Sequence, residues 1–156
     1  MSDELNDLYQ QVIIDHSRHP RNFRKIEGDH REARGNNPLC GDKIIVYLQM
    51  ENDIVKDVSF MGDGCAISLA SASMMTEALK GKTKADVEKL FGQVHDMVAK
   101  GTPALDELGK LGALAGVNKF PMRVKCAILA WHAVSAAVKG DAEIVSTETE
   151  EGQKLS

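Results

Sequence analysis

Four side chains of this 156-residue chain have the types and spacing for joint chemistry: Cys40, Asp42, Cys65 and Cys126. The chain has three cysteines, so pairing within it would leave one over. In a reducing compartment, cysteines in that number suit metal ligation or thiol reactivity better than a disulfide framework. A closed zinc site takes four ligands, and three thiolates leave one place. Asp42 lies two residues after Cys40, so on a strand both side chains point to the same face. Cys65 follows Gly62-Asp63-Gly64 and opens a predicted helix, where the helix dipole stabilises a thiolate. Taken singly, each residue has a bland reading. Cys126 fits a small buried hydrophobe, and Asp42 fits a solvated strand-end charge. The chemistry therefore depends on whether the elements bring all four together.

The elements can be read from periodicity. Residues 4–17 form a predicted helix, with Leu5, Leu8, Val12 and His16 at spacings of three and four, and Pro20 ends it. Residues 18–35 are polar and locally basic, and Asn36-Asn37-Pro38 marks a turn. Residues 43–50 and 54–61 are rich in β-branched and aromatic residues and read as two strands. Residues 65–80 read as a helix stopped by Gly81, and 83–100 as a second, capped by Thr83. Residues 101–117 hold five Gly or Pro among apolar residues and read as short broken helices. Residues 121–139, with Pro121 in the first turn, read as a last helix ended by Gly140. The order predicts an α+β fold: a small antiparallel sheet of about three strands with helices packed on one face.

The hairpin register has a chemical consequence. With a three-residue loop, Glu51-Asn52-Asp53, Met50 faces Ile54, Val46 faces Val58 and Ile44 faces Phe60. A one-residue slip sets Val46 against Ser59 and turns one strand's apolar set outward. Extended beyond the strands, this register sets Asp42 opposite Gly62 and Cys40 opposite Gly64, with Cys65 next along. If the last helix points its start at this hairpin mouth, Cys126 completes a site of three sulfurs and one oxygen, acceptable to zinc.

Composition narrows the function classes. Hydrophobic residues make 43% of the chain and charged ones 27%, ordinary values for one globular domain. The net charge of -4 disfavours a broad nucleic-acid face. No apolar run reaches membrane-spanning length, and Met1-Ser2-Asp3-Glu4-Leu5 has no apolar signal core. A cytoplasmic location is expected, with no nucleic-acid or membrane partner. Residues 1–140 are expected to fold as one domain, and the acidic residues 141–156 to form a mobile tail.

Four motifs then resemble a known family. They are Asp15-His16-Ser17-Arg18-His19-Pro20-Arg21-Asn22; Asn37-Pro38-Leu39-Cys40-Gly41-Asp42; Gly62-Asp63-Gly64-Cys65-Ala66-Ile67-Ser68 with Ala70-Ser71-Ala72-Ser73; and Arg123-Val124-Lys125-Cys126. In this order the chain resembles, over about residues 5–140, the IscU/NifU-like family of iron–sulfur cluster assembly proteins. Within it the resemblance is to the SufU branch. Scaffold-type relatives carry a histidine just before the third cysteine, where this chain has Lys125. The stretch between Cys65 and Cys126 is also long, which fits a SufU-type insertion at about 85–116. Of the scaffold branch's Leu-Pro-Pro-Val-Lys segment, only Pro121 and Arg123 have counterparts here.

The resemblance implies a zinc-dependent sulfurtransferase with Cys40, Asp42, Cys65 and Cys126 as zinc ligands. It implies a PLP-dependent cysteine desulfurase of the SufS type as sulfur donor and Cys40 as the acceptor thiol. In the family scheme a desulfurase histidine takes the place of Cys40 on zinc, and the freed thiolate attacks the desulfurase persulfide. The sulfur then passes to a downstream iron–sulfur scaffold or acceptor. Arg123, one helical turn before Cys126, is a candidate for stabilising thiolate or persulfide charge, or a solvated helix-end charge. Two further readings remain: a scaffold that assembles a transient [2Fe–2S] cluster on the same ligands, and a purely structural zinc module. Elsewhere, His16 and His19 at helical spacing, with His30, read as a packed histidine and two solvated ones more readily than as a second metal site. The basic stretch 18–34 reads as solvated surface.

Overall fold

The computed structural model describes residues 3–38, 40–140 and 144–146. Four helices are formed by Asp3–Arg18 (α1), Ala66–Leu79 (α2), Lys84–Ala99 (α3) and Pro121–Lys139 (α4). A 3₁₀ segment, Asp106–Lys119, precedes α4 and is broken at Gly109, where φ is 55°. The strands are Arg31–Asn37 (β1), Asp42–Glu51 (β2), Ile54–Asp63 (β3) and Ile144–Ser146 (β4). They form one sheet in the order β3-β2-β1-β4. The first three are antiparallel, and β4 lies parallel to β1. The fold is α+β, as expected. Ile144–Ser146 is the described part of the expected tail, and it pairs with the sheet. The rest of 141–156 lies outside the described residues. No helix among the described residues is long and apolar enough to cross a membrane.

The hairpin turn differs from the three-residue loop read from the sequence. Glu51 pairs with Ile54, leaving a two-residue turn of Asn52 and Asp53, with φ of 53° and 62°. Positive φ at both central residues matches the strands' right-handed twist, and Asn and Asp tolerate it. One step further in, Met50 pairs with Val55 but Gln49 with Asp57, so Lys56 is the extra residue of a bulge. Together these shift the pairing by two. Val46 faces Phe60 and Leu48 faces Val58, in place of the pairs expected above. An even shift keeps each side chain on its face. Ile44, Val46, Leu48, Val58 and Phe60 are accordingly all buried.

β1 was hidden by its composition. Arg-Glu-Ala-Arg-Gly-Asn-Asn has no β-branched residue, yet its burial alternates, with Ala33, Gly35 and Asn37 inward. These are small because α4 lies close. A Cβ on Gly35 would stand 2.9 Å from Leu129 Cδ1. At the other end of α4, Arg31 donates to the carbonyls of Ala137 and Val138, at 3.2 and 2.8 Å, satisfying groups the helix leaves unpaired.

The helices gather on one face of the sheet formed by the antiparallel strands β1 to β3. α4 packs on β1 and β2, α2 packs beside it toward β3, and α1 and α3 cover these two. α2 and α4 are locked lengthwise by a buried relay. Trp131 Nε1 donates to Ser71 Oγ at 3.1 Å, and Ser71 donates to the Ala127 carbonyl at 2.5 Å. The relay sets the start of α2, where Cys65 sits, beside the first turns of α4, where Cys126 sits. α1 is tied to α2 through His16, whose Nδ1 is 2.7 Å from Ser73 Oγ. Ser73 Oγ also accepts the Arg21 N–H at 2.8 Å. Ser73 Oγ thus links α1, the Arg21 backbone and α2 in one buried contact. His16 is a packed core residue, as its periodicity implied.

α3 meets α4 through a ring cluster. Phe91 packs edge-on against His132, centroids 5.3 Å apart, and His95 lies 6.4 Å from His132. Burial first, and the neighbouring His95 and Lys139 next, pull the His132 pKa down to about 4. Burial likewise lowers that of His16. The unfolded chain therefore takes up protons at these sites before the folded one does. Stability is unaffected above about pH 6.5 and falls as pH drops toward 4, by about 3 kcal/mol for His132. His132→Phe keeps the packing and removes that titration. In metal-free, reduced protein, urea midpoints from pH 7 to 4.5 should fall less steeply for His132→Phe than for wild type. Parallel slopes would refute the assignment.

Candidate metal centre

The four candidate residues come from three places on the chain. Cys40 and Asp42 flank Gly41, which turns β1 into β2 at a φ of 71°. The Cys40 N–H bonds the Asn37 carbonyl at 3.2 Å, closing that turn. Cys65 is the N-cap of α2. Its side chain accepts the Ser68 N–H, with a sulfur distance of 3.4 Å. Cys126 lies in the second turn of α4 and is buried. These three supports differ in stiffness: a turn, a helix cap and a helix interior.

Asp42 joins them. It is 1% exposed, and its Oδ1 accepts the Cys65 N–H at 2.8 Å. Its Oδ2 lies 3.9 Å from Cys65 Sγ. Cys126 Sγ lies 3.4 Å from Cys40 Sγ. One ligand atom each from Cys40, Asp42 and Cys126 lie within 4.8 Å of one another. Cys65 adjoins this group through Asp42. The register corrected above matters here. Lys43 pairs with Asp63, so Asp42, not Cys40, comes to Gly64. A Cβ on Gly64 would stand 2.7 Å from Asp42 Oδ1. Gly62, at a φ of 144°, lets β3 pass the Lys43 carbonyl, which a Cβ would meet at 2.0 Å.

The donor set suits a cation. Burial, and then Asp42, Cys40 and Cys65 facing it, push the Cys126 thiol far above its ordinary range. A metal ion reverses that preference by stabilising thiolates. Two sulfurs each about 2.3 Å from a tetrahedral ion stand roughly 3.8 Å apart. Cys40 and Cys126, at 3.4 Å, need part by only tenths of an ångström. Next to them, Asn37 is 1% exposed and donates its Nδ2–H to Cys126 Sγ at 3.5 Å. Its Oδ1 is buried with no hydrogen-bond partner. That pose favours a sulfur that accepts strongly, as a metal-bound thiolate does. Two cysteines and a carboxylate within 4.8 Å of one another form a donor set that could hold a metal ion, with Cys65 adjoining it through Asp42.

Asn37 is the residue that motif reading passed over. It reads as a turn-former before Pro38, and only the inward alternation of β1 reveals it as buried. Arg123 is exposed and stands over the Phe120 ring, 5.7 Å from its centroid. Phe120 and Met122 are themselves exposed, at 53% and 45%. The start of α4 thus presents apolar surface and a cation one turn from Cys126. His19 and His30 are not part of this group; they stand beside Asp15 and Glu32 respectively.

Comparison with known proteins decides the family. The NifU-like N-terminal domain matches residues 8–145. This chain belongs to that family. The zinc-dependent sulfurtransferase SufU of Bacillus subtilis is 45% identical over 137 residues, spanning 86% of this chain and 91% of SufU. The iron–sulfur cluster assembly scaffold protein IscU of Streptococcus pyogenes is 43% identical over 140 residues, 89% and 87% of the two chains. Among solved structures, one from Fervidobacterium islandicum AW-1 superposes with a TM-score of 0.78 at 33% identity. It is provisionally assigned as a SUF-system scaffold, and the match covers 88% of this chain and 99% of that one. The N-terminal domain of a NifU-like protein from Brucella abortus, 21% identical, shares the fold at a TM-score of 0.80. It covers 88% of this chain and 96% of its own.

The close approach at Gly64 yields a test. Gly64→Ala drives a methyl group against Asp42 Oδ1 and pushes the carboxylate off the Cys65 N–H. We expect an unchanged far-ultraviolet circular dichroism spectrum and about tenfold weaker retention of added zinc, read by chelator competition. Equal retention would remove Asp42 from the site.

Proposed function

We propose that the protein is a zinc-dependent sulfur acceptor in iron–sulfur cluster assembly. It takes sulfane sulfur on Cys40 from a PLP-dependent cysteine desulfurase of the SufS type and delivers it to a downstream iron–sulfur scaffold or acceptor. Family membership supports the broad role in iron–sulfur cluster assembly. The observation that carries the finer reading is the meeting of Cys40, Asp42 and Cys126 within 4.8 Å, with Cys65 against Asp42. The full ligand set in this reading is Cys40, Asp42, Cys65 and Cys126. The likeness to the B. subtilis sulfurtransferase and the lysine at position 125 favour sulfur transfer. The likeness to the S. pyogenes scaffold keeps a [2Fe–2S] scaffold as the second reading.

Zinc, when bound, would keep the thiols deprotonated at neutral pH. The remaining chemistry belongs to the chain. Cys40 is the sulfur able to move, since it rides a half-buried turn hinged at Gly41, whereas Cys65 and Cys126 are fixed by helices. The Cys40 thiolate attacks the terminal sulfur of the desulfurase persulfide. A new S–S bond forms at Cys40 as the old one breaks, and the desulfurase cysteine departs as thiolate. Atoms and charge balance without an outside oxidant. Arg123 and the exposed Phe120 beside it form a rim for the incoming partner, and Arg123 can offset the anionic charge during transfer.

Two measurements test this. Protein purified without added metal should contain one zinc per chain and no visible absorbance that bleaches on reduction. A stable iron–sulfur chromophore would favour the scaffold reading. Cys40→Ala and Cys40→Ser should both abolish stimulation of desulfurase turnover and persulfide labelling of this chain. Survival of both effects would rule out Cys40 as acceptor.

A further inference from the structure

Asn37 touches three of the four residues at the centre. Its carbonyl accepts the Cys40 N–H at 3.2 Å. Its Cα partner across the sheet is Asp42. Its side-chain amide donates to Cys126 Sγ at 3.5 Å. It is buried at 1% exposure, and the other end of the amide, Oδ1, has no partner. An amide buried this way leaves an acceptor unsatisfied, a destabilising arrangement unless the N–H bond is a strong one. Hydrogen bonds to an ionised acceptor are the strong kind. Cys65 is served similarly, by the backbone N–H of Ser68 at 3.4 Å. Cys40 Sγ lies 3.4 Å from the sulfur of Cys126.

We infer that Asn37 is a positioning residue for the metal centre. Its amide holds the Cys126 sulfur as a fixed thiolate ligand, so that ligand exchange is confined to Cys40. An N–H···S bond draws charge from the sulfur and lowers its reactivity toward electrophiles. Two of the three sulfurs are quietened in this way, one by a helix backbone and one by Asn37. The third keeps its full nucleophilicity when it leaves the metal. The Asn37 carbonyl meanwhile closes the turn that carries Cys40, so one residue restrains the fixed sulfur and hinges the mobile one. This inference rests on the zinc site proposed above.

The decisive experiment uses the wild-type chain loaded with ¹¹³Cd in place of zinc and labelled with ¹⁵N. The Asn37 side-chain amide proton should shift downfield on loading and show a scalar coupling to ¹¹³Cd through the hydrogen bond. A protein that binds no cadmium would overturn the metal-site reading itself. Cadmium binding with neither shift nor coupling at Asn37 would overturn the role of Asn37 alone. A second measurement reads the consequence in the zinc-bound protein. Iodoacetamide followed by mass spectrometry should modify Cys40 first in wild type. In Asn37→Leu, Cys126 alkylation should accelerate about tenfold. An unchanged rate of Cys126 alkylation in folded Asn37→Leu counts against the role; if that variant does not fold, the cadmium experiment decides.

Discussion

The buried carboxylate of Asp42 is the constraint on which the rest of the site depends. A carboxylate at 1% exposure must find donors or a cation. Its Oδ1 takes the N–H of Cys65, the residue that leaves β3 and caps α2. One bond thus joins the start of β2 to the start of α2, across the mouth of the hairpin. Gly64 supplies the room, since any side chain there would collide with the carboxylate. The second oxygen is left facing the sulfurs. The hairpin, the glycine pair and the helix cap therefore serve one end: an acidic side chain kept dry and aimed inward.

The helical layer does the complementary work for Cys126. A cysteine inside a helix has no freedom of its own, so its place is set by where the helix lies. Small inward residues on β1 let α4 settle close to the sheet. Arg31 ties down its far end, and the Trp131–Ser71–Ala127 relay fixes its slide against α2. These contacts lie many residues from Cys126. They nevertheless fix the Cys126 sulfur 3.4 Å from that of Cys40.

Much of this was legible in the residues. Apolar spacing located all four helices within a residue or two, because Thr83, Gly81, Pro121 and Gly140 punctuate their ends chemically. Two β-branched runs located the hairpin, and a carboxylate two places from a cysteine pointed to the fourth donor. The register was not legible. Asn52 and Asp53 fill a two-residue turn as readily as part of a three-residue loop, and the bulge at Lys56 leaves no mark in the apolar alternation. The error preserved every face because the shift was even, so the core was right while the cross-strand partners were wrong. β1 escaped for a different reason. Strand propensity describes residues that fill a half-buried surface, whereas Ala33, Gly35 and Asn37 are there to leave space.

That last point bears on how such a site divides labour among its ligands. A metal centre that only braces a fold gains from four equally rigid donors, because any loose one weakens affinity. Here the donors are unequal in support. Cys126 is held by a helix interior and an amide, Cys65 by a helix cap, and Asp42 by a strand and a backbone N–H. Cys40 sits on a turn with Gly41 beside it at a φ of 71°. If these four hold a metal as proposed, rigidity in three would keep the cavity formed when the fourth departs. A turn hinged at Gly41 would let the Cys40 thiolate reach outward without unfolding its surroundings. An arrangement of this kind would give up some affinity relative to a closed structural site, and the loss would fall at the sulfur carried on the turn. Unequal support of this kind is what the proposed sulfur-acceptor role of Cys40 would require.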